Sequence, residues 1–545
     1  MALSDLTGTM LAGDSNGLLW LFLLGIVFLI GGSQARAKSV DPREPREVKP
    51  KIPLVGHIIG LLGSRQKYYR QLGLENAKLP IFSISMGGSE KIYIITAPQL
   101  IQVAMKNKSL NLYPVMAEFA QKMVGLGPNV MDLFHNPPTD GSISWIEDQH
   151  PSFAPLAPGP DLQEMNTYVL NKISKTINSI GTEYETKKLY MWFRDSFTMA
   201  TVGSLFGDKN SLMKDPTLSK NLWDYDGGQA ELLMKPLPSI TVSKAYNGRA
   251  KVQKALRKYF REDYDHITDA SSVVKRRVAV NRKWGLPIDD IADHEFGMLF
   301  VSVTNAIPTL FWMMCYVFRD ANLVADLQKE LLALAVIQQQ DGGTTGGRPS
   351  RKCTFTVAKF RTECPLLVST YKEVMRLTNR STGTRRVVED TLISYTPSGD
   401  GGDTKTYLLK KGANIQIPAI ITNFGPDAWG ENAHEFNPRR FMTADRERER
   451  AQNRAFNPFG GGKHLCPGRF FADAEILGAM AALLLGFEIE TPAGDRIEVP
   501  QINNNLAEAV GKPLTSVQEN MLARIRRRPG WEDVEWAYIA NNVAQ

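Results

Sequence analysis

The sequence predicts a mainly α chain, with a single large helical domain, a minor β region and one preceding N-terminal transmembrane helix. Three observations carry this. An uncharged apolar run lies near the N-terminus, apolar residues recur at helical period through most of the remaining chain, and strand-like segments are few and short.

From Asn16 to Ala35 no residue is charged, and the centre, LLWLFLLGIVFLI, is rich in Leu, Ile, Phe and Val. About twenty such residues span a bilayer. Asp5 and Asp14 precede the run; Arg36, Lys38, Arg43, Arg46, Lys49 and Lys51 come after it. A secretory signal has a basic start and a small-residue cleavage site, so this run reads as a retained anchor. The positive charge behind it keeps the remainder cytosolic. The expected organisation is a short lumenal N-terminus over 1–15, a transmembrane anchor over 16–35, a basic, proline-containing linker over 36–60, and one domain over 61–545. In PKIPLVGHIIGLL (Pro50–Leu62) the prolines oppose helix and stiffen the connection.

Helical period then governs Leu162–Ile180, Lys251–Ile267, Ile291–Phe318, Leu323–Gln338 and Thr362–Leu377. Strand signals are KIYIITA (Lys91–Ala97) and YLLKKGANIQIPA (Tyr407–Ala419), the latter reading as a hairpin about Lys411-Gly412. DGGTTGGRPS and PSGDGGDT read as surface loops without chemistry. The 545 residues are 43% hydrophobic and 22% charged, with net charge +7, which suits an anionic membrane or an acidic protein partner. Basic patches interleaved with aromatics are missing, which argues against nucleic acid. Four cysteines, at 315, 353, 364 and 466, are too few for a disulfide framework and lack paired CxxC spacing.

Cys466 stands apart, in FNPFGGGKHLCPGRFFA (Phe456–Ala472). Three glycines let backbone approach a flat ligand closely, and the cysteine precedes a segment apolar on nearly all sides, hence a buried helix with Gly486 as its expected C-cap. A thiolate at a helix N-terminus is held by free amides and the dipole, and serves as nucleophile or metal ligand. A nucleophile needs a base, and His464 is awkwardly close along the loop for that role. A thiolate on haem iron needs no base, only the glycine loop, the amides and cations for the propionates.

Phe459, Gly462, His464, Cys466 and Gly468 match F-x-x-G-x-(R/H)-x-C-x-G, and in these residues the chain resembles the cytochrome P450 superfamily, the haem-thiolate monooxygenases. The resemblance implies that Cys466 is the axial ligand of haem iron, that Phe459 shields it, and that His464 meets a propionate. YKEVMR places Glu373 and Arg376 at i,i+3, and HEFNPRRF is similar to the family's F-x-P-x-R-F segment. Together they imply a structural Glu373–Arg376–Arg440 lock behind the cysteine loop. LTNRSTGTRRVVED resembles the segment that lines the pocket, which puts Arg385 at a second propionate, with Arg386 the near-equal alternative. The family's W-x-x-x-R helix is missing: Trp145 is followed by Ile-Glu-Asp-Gln, and what replaces the arginine at the haem edge is open. The resemblance runs from Pro50 to about Glu490 and reduces the domain count to one.

The helix expected across the distal face, LFVSVTNAIPTLFWMM (Leu299–Met314), lacks the family's acid-alcohol pair. It is similar to the branch of sterol 7α- and 12α-hydroxylases and prostacyclin synthase, in which Asn occupies the threonine position; Asn305, Pro308, Phe311 and Trp312 match N-x-x-P-x-x-F-W. Pro308 offers no amide to the carbonyl of Thr304, so a kink is expected. Asn305, Thr309 and Thr304 are the candidate catalytic residues. Thr309 takes Asn305's place if the register shifts by four, and the alternative is a kinked core helix whose Asn only satisfies freed backbone.

The branch implies a single-pass endoplasmic reticulum protein with a cytosolic catalytic domain. It would oxidise a lipophilic steroid- or terpenoid-like, or other secondary-metabolite, substrate with O2 and electrons from NADPH through a separate NADPH-cytochrome reductase. CPGRFFA and the glycine-rich inserts resemble fungal members. Lys463, Arg469, Arg439 and Arg440 are expected to dock an acidic reductase, or else to serve as propionate and structural partners. Two alternatives stand beside this: a reductase-independent isomerase or dehydratase on the same scaffold, and a non-enzymatic membrane haem sensor or carrier.

Overall fold

Apolar on nearly every side, Arg469–Gly486 can only be a buried helix, and it forms the axis of the core. Pro160–Asn178, Ala306–Phe318 and Ala321–Leu334 pack along it, while Leu189–Phe206 and Pro365–Thr378 pack on those neighbours. The computed structural model describes residues 41–50, 56–86, 90–267, 269–340, 350–397, 403–502 and 520–540. The expected anchor, 16–35, lies outside them, as do 341–349 and 398–402 of the two glycine-rich inserts.

The C-cap expectation for Gly486 is corrected. Gly486 is the last helical residue, the chain leaves extended at Phe487 (φ −136°, ψ 149°), and a Cβ at Gly486 would stand 2.3 Å from the Trp536 ring. Close packing of an aromatic ring, not a left-handed turn, requires the glycine.

Ile291–Phe318 was expected as one kinked helix. The structure gives two, Ile288–Val303 and Ala306–Phe318, broken at Thr304-Asn305, four and three residues before Pro308. Among the described residues this stretch is apolar and long enough to cross a membrane, but 83% of its most apolar window is buried in the domain, so it is a core element.

A five-stranded sheet runs Ile81–Ser85, Lys91–Ile95, Asn414–Pro418, Thr382–Val387, Leu110–Asn111. Its third strand is parallel to the second and antiparallel to the fourth. Residues 41–50 run beside its first strand: the Val48 amide donates to Ser83 O and the Ser83 amide to Arg46 O, both at 2.9 Å. The hairpin expected about Lys411-Gly412 is corrected. Lys405–Leu409 pairs with Thr391–Tyr395, and Asn414–Pro418 enters the larger sheet. The turn at Gly412 (φ +85°) carries the chain from one sheet to the other, where Ile415 and Ile417 are buried.

The helix expected over Leu323–Gln338 stops at Leu334, and Val336–Gln340 pairs with Ser350–Thr356. The β-branched pair Val336-Ile337 favours that change. Ser350–Thr356 is in turn parallel to Val534–Ile539, and a further small sheet joins Phe487–Glu490, Leu522–Arg527 and Glu185–Lys188.

Candidate functional site

The cysteine loop is pressed onto the end of the helix Pro98–Lys106. Gly460 and Gly462 take φ +73° and +63°, and a Cβ at Gly462 would stand 2.0 Å from the Met105 carbonyl oxygen. Only glycine fits there. The Cys466 amide donates to Phe459 O at 2.9 Å and closes the loop, and Arg469 Nη1 donates to Cys466 O at 2.9 Å as the buried helix begins. Burial pushes the Cys466 thiol up; the Gly468 amide, the Arg469 charge and the Arg469 amide oppose it. Cys353 and Cys364 are pushed up to about 12, first by burial, with no amide donor among the causes. Cys315 is 0% exposed in the core and burial pushes its thiol further still, so Cys466, only half-buried and with amides and a guanidinium opposing the shift, is the cysteine equipped to carry a thiolate once a cation sits on it. Among the described residues no cluster of His, Cys, Asp and Glu could hold a metal ion alone. A metal on Cys466 therefore needs its other ligands from a cofactor, as haem iron does.

Beside the loop is an edge of unpaired donors. His464 lies edge-on to Tyr113, ring centres 5.0 Å apart, and its Nε2 is buried without a partner. Burial first, then the charges of Arg385, Lys463 and His150, hold its imidazole down at about 3. Arg385 and Arg386 are neighbours on one strand, so their side chains leave from opposite faces. Arg386 is fully engaged, donating to Asn414 Oδ1 and to Glu118 at 2.8 Å. Arg385 donates Nη1–H to Thr384 O at 2.8 Å, while its Nε is buried without a partner. Orphaned buried donors each cost about 1–3 kcal/mol, so an edge of this kind is one that an anion completes. The residues present fit a haem: a thiol with amide donors beneath, and beside it a buried guanidinium and a neutral imidazole with nitrogen atoms left for carboxylates.

Behind the loop, Glu373, Arg376 and Arg440 meet with side chains 0% exposed. Arg376 donates to both Glu373 oxygens at 2.8 Å and Arg440 Nε donates to Oε1 at 2.9 Å. The spare donors go to carbonyls: Arg376 to Asn423 and Ala433, Arg440 to Trp429, Asn432 and Glu435.

Across the distal break the three candidates differ. Thr304 Oγ1 donates to Phe300 O (3.1 Å) and Thr309 Oγ1 to Asn305 O (2.8 Å), so both hydroxyl protons are spent on backbone. Asn305 makes only a long 3.4 Å contact from Nδ2 to Val301 O, and its Oδ1 is buried without a partner.

The docking expectation is corrected for Arg440, which is sealed inside the lock. Arg439 pairs with Asp326 at 2.7 Å, and Lys463 lies over the Tyr113 ring at 4.9 Å. These basic residues have partners within the chain. Trp145 and Gln149, where W-x-x-x-R was sought, both donate to Asn281 Oδ1, at 3.1 and 2.7 Å. They are turned toward the helix Ser272–Lys283. Sequence reasoning missed Tyr113 and His150; the one available signal was a histidine directly after Gln149. It also missed the buried Arg277–Glu295 pair (3.0 Å) and Glu475, whose Oε1 accepts from Thr201 at 2.7 Å.

The sequence matches the family model described as Cytochrome P450 over residues 45–515. A cytochrome P450 monooxygenase of Gibberella zeae is 31% identical over 536 residues, covering 97% of this chain and 97% of that protein. Cytochrome P450 7B1 of Mus musculus is 23% identical over 484 residues, covering 86% and 88%. The solved structure of a retinoic acid-bound cyanobacterial CYP120A1 superposes with a TM-score of 0.62 at 17% identity, covering 89% of this chain and 99% of that one, which shows a shared fold.

Proposed function

We propose, from the premise that this chain belongs to the cytochrome P450 family and is one of its monooxygenases, that it oxidises a lipophilic steroid- or terpenoid-like, or other secondary-metabolite, substrate. In this reading electrons come from NADPH through a separate reductase, and residues 16–35 tether a cytosolic domain to the endoplasmic reticulum. The observation that carries it is the placement of Cys466, with amide donors at its sulfur and the orphaned nitrogens of Arg385 and His464 beside it.

Bound haem supplies oxygen activation: with O2, two electrons and two protons, one oxygen atom enters a C–H bond and the other leaves as water. The chain's residues do the rest. Cys466 would hold the haem iron through its thiolate, Phe459 and the glycine loop would cover it, and His464 and Arg385 would take the propionates. On the distal side Asn305 holds water and offers hydrogen bonds where a proton must be delivered, a role for a positioned amide rather than a titrating acid. Thr309 is the control, its proton already donated to Asn305 O.

Substrate chemistry is supported by two apolar features. Val301 is 54% exposed near the end of the helix Ile288–Val303, four residues before Asn305, whose Nδ2 reaches the Val301 carbonyl at 3.4 Å. Met234, Leu237 and Ile240, 47%, 68% and 73% exposed within seven residues of chain, suit a membrane surface, where lipophilic molecules partition.

Expression with a microsomal reductase and candidate polycyclic scaffolds tests the reading, with product, O2 and NADPH measured together. Cys466→Ser is expected to abolish both turnover and the red-shifted Soret band of the ferrous carbonyl complex. An unchanged carbonyl spectrum would remove the haem-thiolate seat. Turnover of a peroxide or hydroxyl substrate without NADPH or reductase would instead establish the isomerase or dehydratase reading.

A further inference from the structure

We propose that Tyr113 binds a haem propionate and that His150 is the positioning residue behind it, together taking the place of the arginine that the chain lacks after Trp145. The proposal rests on the haem seat formed by Cys466, His464 and Arg385.

Three separate elements converge on the His464 ring. Arg385 comes from the strand Thr382–Val387. Tyr113 opens the helix Tyr113–Phe119 directly after Leu110–Asn111, which pairs with that strand. His150 begins the turn His150–Leu156, one residue past Gln149. Gln149 itself is committed to Asn281, so the short helix Trp145–Asp148 delivers its next residue to the edge instead.

The His150 Nε2 lies 2.8 Å from the Tyr113 hydroxyl, its ring 6.5 Å from that of His464, and the Tyr113 ring packs edge-on to His464 at 5.0 Å. Arg385 Nε and His464 Nε2 are the orphaned donors of this cluster. Lys463 stands over the Tyr113 ring at 4.9 Å. With His150 in the tautomer whose Nε2–H donates to the Tyr113 oxygen, the phenolic O–H is left to donate onward to a carboxylate. Burial, and secondarily the charge of Glu147, push the Tyr113 hydroxyl up, which keeps that proton in place.

The test uses the haem-loaded protein and three variants: Tyr113→Phe, which keeps the ring against His464, His150→Ala, and His150→Gln, which retains an N–H donor. Two quantities are read: the propionate bending band in the resonance Raman spectrum, and the rate of haem transfer to excess apo-globin. Tyr113→Phe and His150→Ala are expected to shift the propionate band and speed haem loss about tenfold, the effect of one hydrogen bond to a charged group. His150→Gln is expected to stay near the parent protein in both. All three should keep the thiolate-type carbonyl spectrum, which separates failure here from failure of the seat itself. A propionate band unmoved in Tyr113→Phe overturns the proposal, even if haem loss accelerates, because the residue would then serve packing alone.

Discussion

The Glu373 lock and the His464–Arg385 edge lie on two sides of the same loop, and both bury nitrogen donors, two guanidinium groups in the first and a guanidinium with a neutral imidazole in the second. In the lock every charge finds protein: one carboxylate accepts from both arginines and from the Asn437 amide, and the other guanidinium donors go to backbone carbonyls and to Asn432 Oδ1. At the edge, Arg385 Nε and His464 Nε2 find no partner among the described residues, and neither does Asn305 Oδ1 across the break. The difference separates scaffold from site. A buried polar group completed by its own chain holds the fold, whereas one left incomplete at a loop of this chemistry is reserved for something that arrives later.

The largest expected effect comes from breaking the completed side. Glu373→Ala leaves two guanidinium groups buried without a counter-charge, a cost of about 3–5 kcal/mol against a usual total of about 5–15 kcal/mol. Little soluble, haem-loaded protein is expected. Arg385→Ala, on the incomplete side, should instead leave the melting temperature of the haem-free protein almost unchanged while weakening haem retention. Equal destabilisation of the haem-free protein by both variants would erase the distinction between the two regions.

Next in size is the distal break. Asn305→Ala should bind haem and substrate normally yet lower product per NADPH by roughly ten- to a hundredfold, with the electrons recovered as hydrogen peroxide. Thr309→Ala should change coupling far less, since its hydroxyl already serves Asn305 O. The reverse ranking would move the oxygen-activating position by one turn.

Glu475 sharpens the comparison from a third direction, because its observed side-chain bond is to the Thr201 hydroxyl and no cation appears among the causes of its shift. Burial pushes its carboxyl from 4.5 up to about 8. The folded chain therefore keeps a proton that the unfolded chain releases between those values. The contribution is intact below 4.5 and is lost as pH rises toward about 8. Glu475→Gln should flatten the fall of melting temperature across that window. An unchanged slope would mean that the carboxyl is ionised and has found a partner.

Much of the site was legible in the sequence because its chemistry is local. Phe459 through Gly468 holds the proposed ligand, its amides and its glycines in one run, and Glu373-Arg376 reads off one helical turn. Arg440 was legible only through a second motif, since no spacing rule connects it to Glu373. Long helices were legible for the same local reason. What failed was pairing at a distance. Lys405–Leu409 and Asn414–Pro418 look like two arms of a hairpin, and nothing near Gly412 announces that each joins a different sheet. Gly486 looked like a cap because its role depends on Trp536, far along the chain. Tyr113 and His150 stayed hidden because neither belongs to a motif, and only the folded chain brings them to His464.

The strand Val534–Ile539 carries the ring that packs on Gly486, and its Tyr538 hydroxyl donates to Gly478 O at 2.8 Å, within the helix that begins just past the cysteine. The brace for the helix behind the cysteine loop is therefore synthesised after the loop itself. A ribosome that has just released Cys466 has made the proposed ligand but not its support, so firm loading of haem is expected to wait for Val534–Ile539. A stop codon before Val534 should yield a protein that contains the whole cysteine loop yet loads haem poorly, a defect measurable by comparing haem content with polypeptide content in the truncated and parent products.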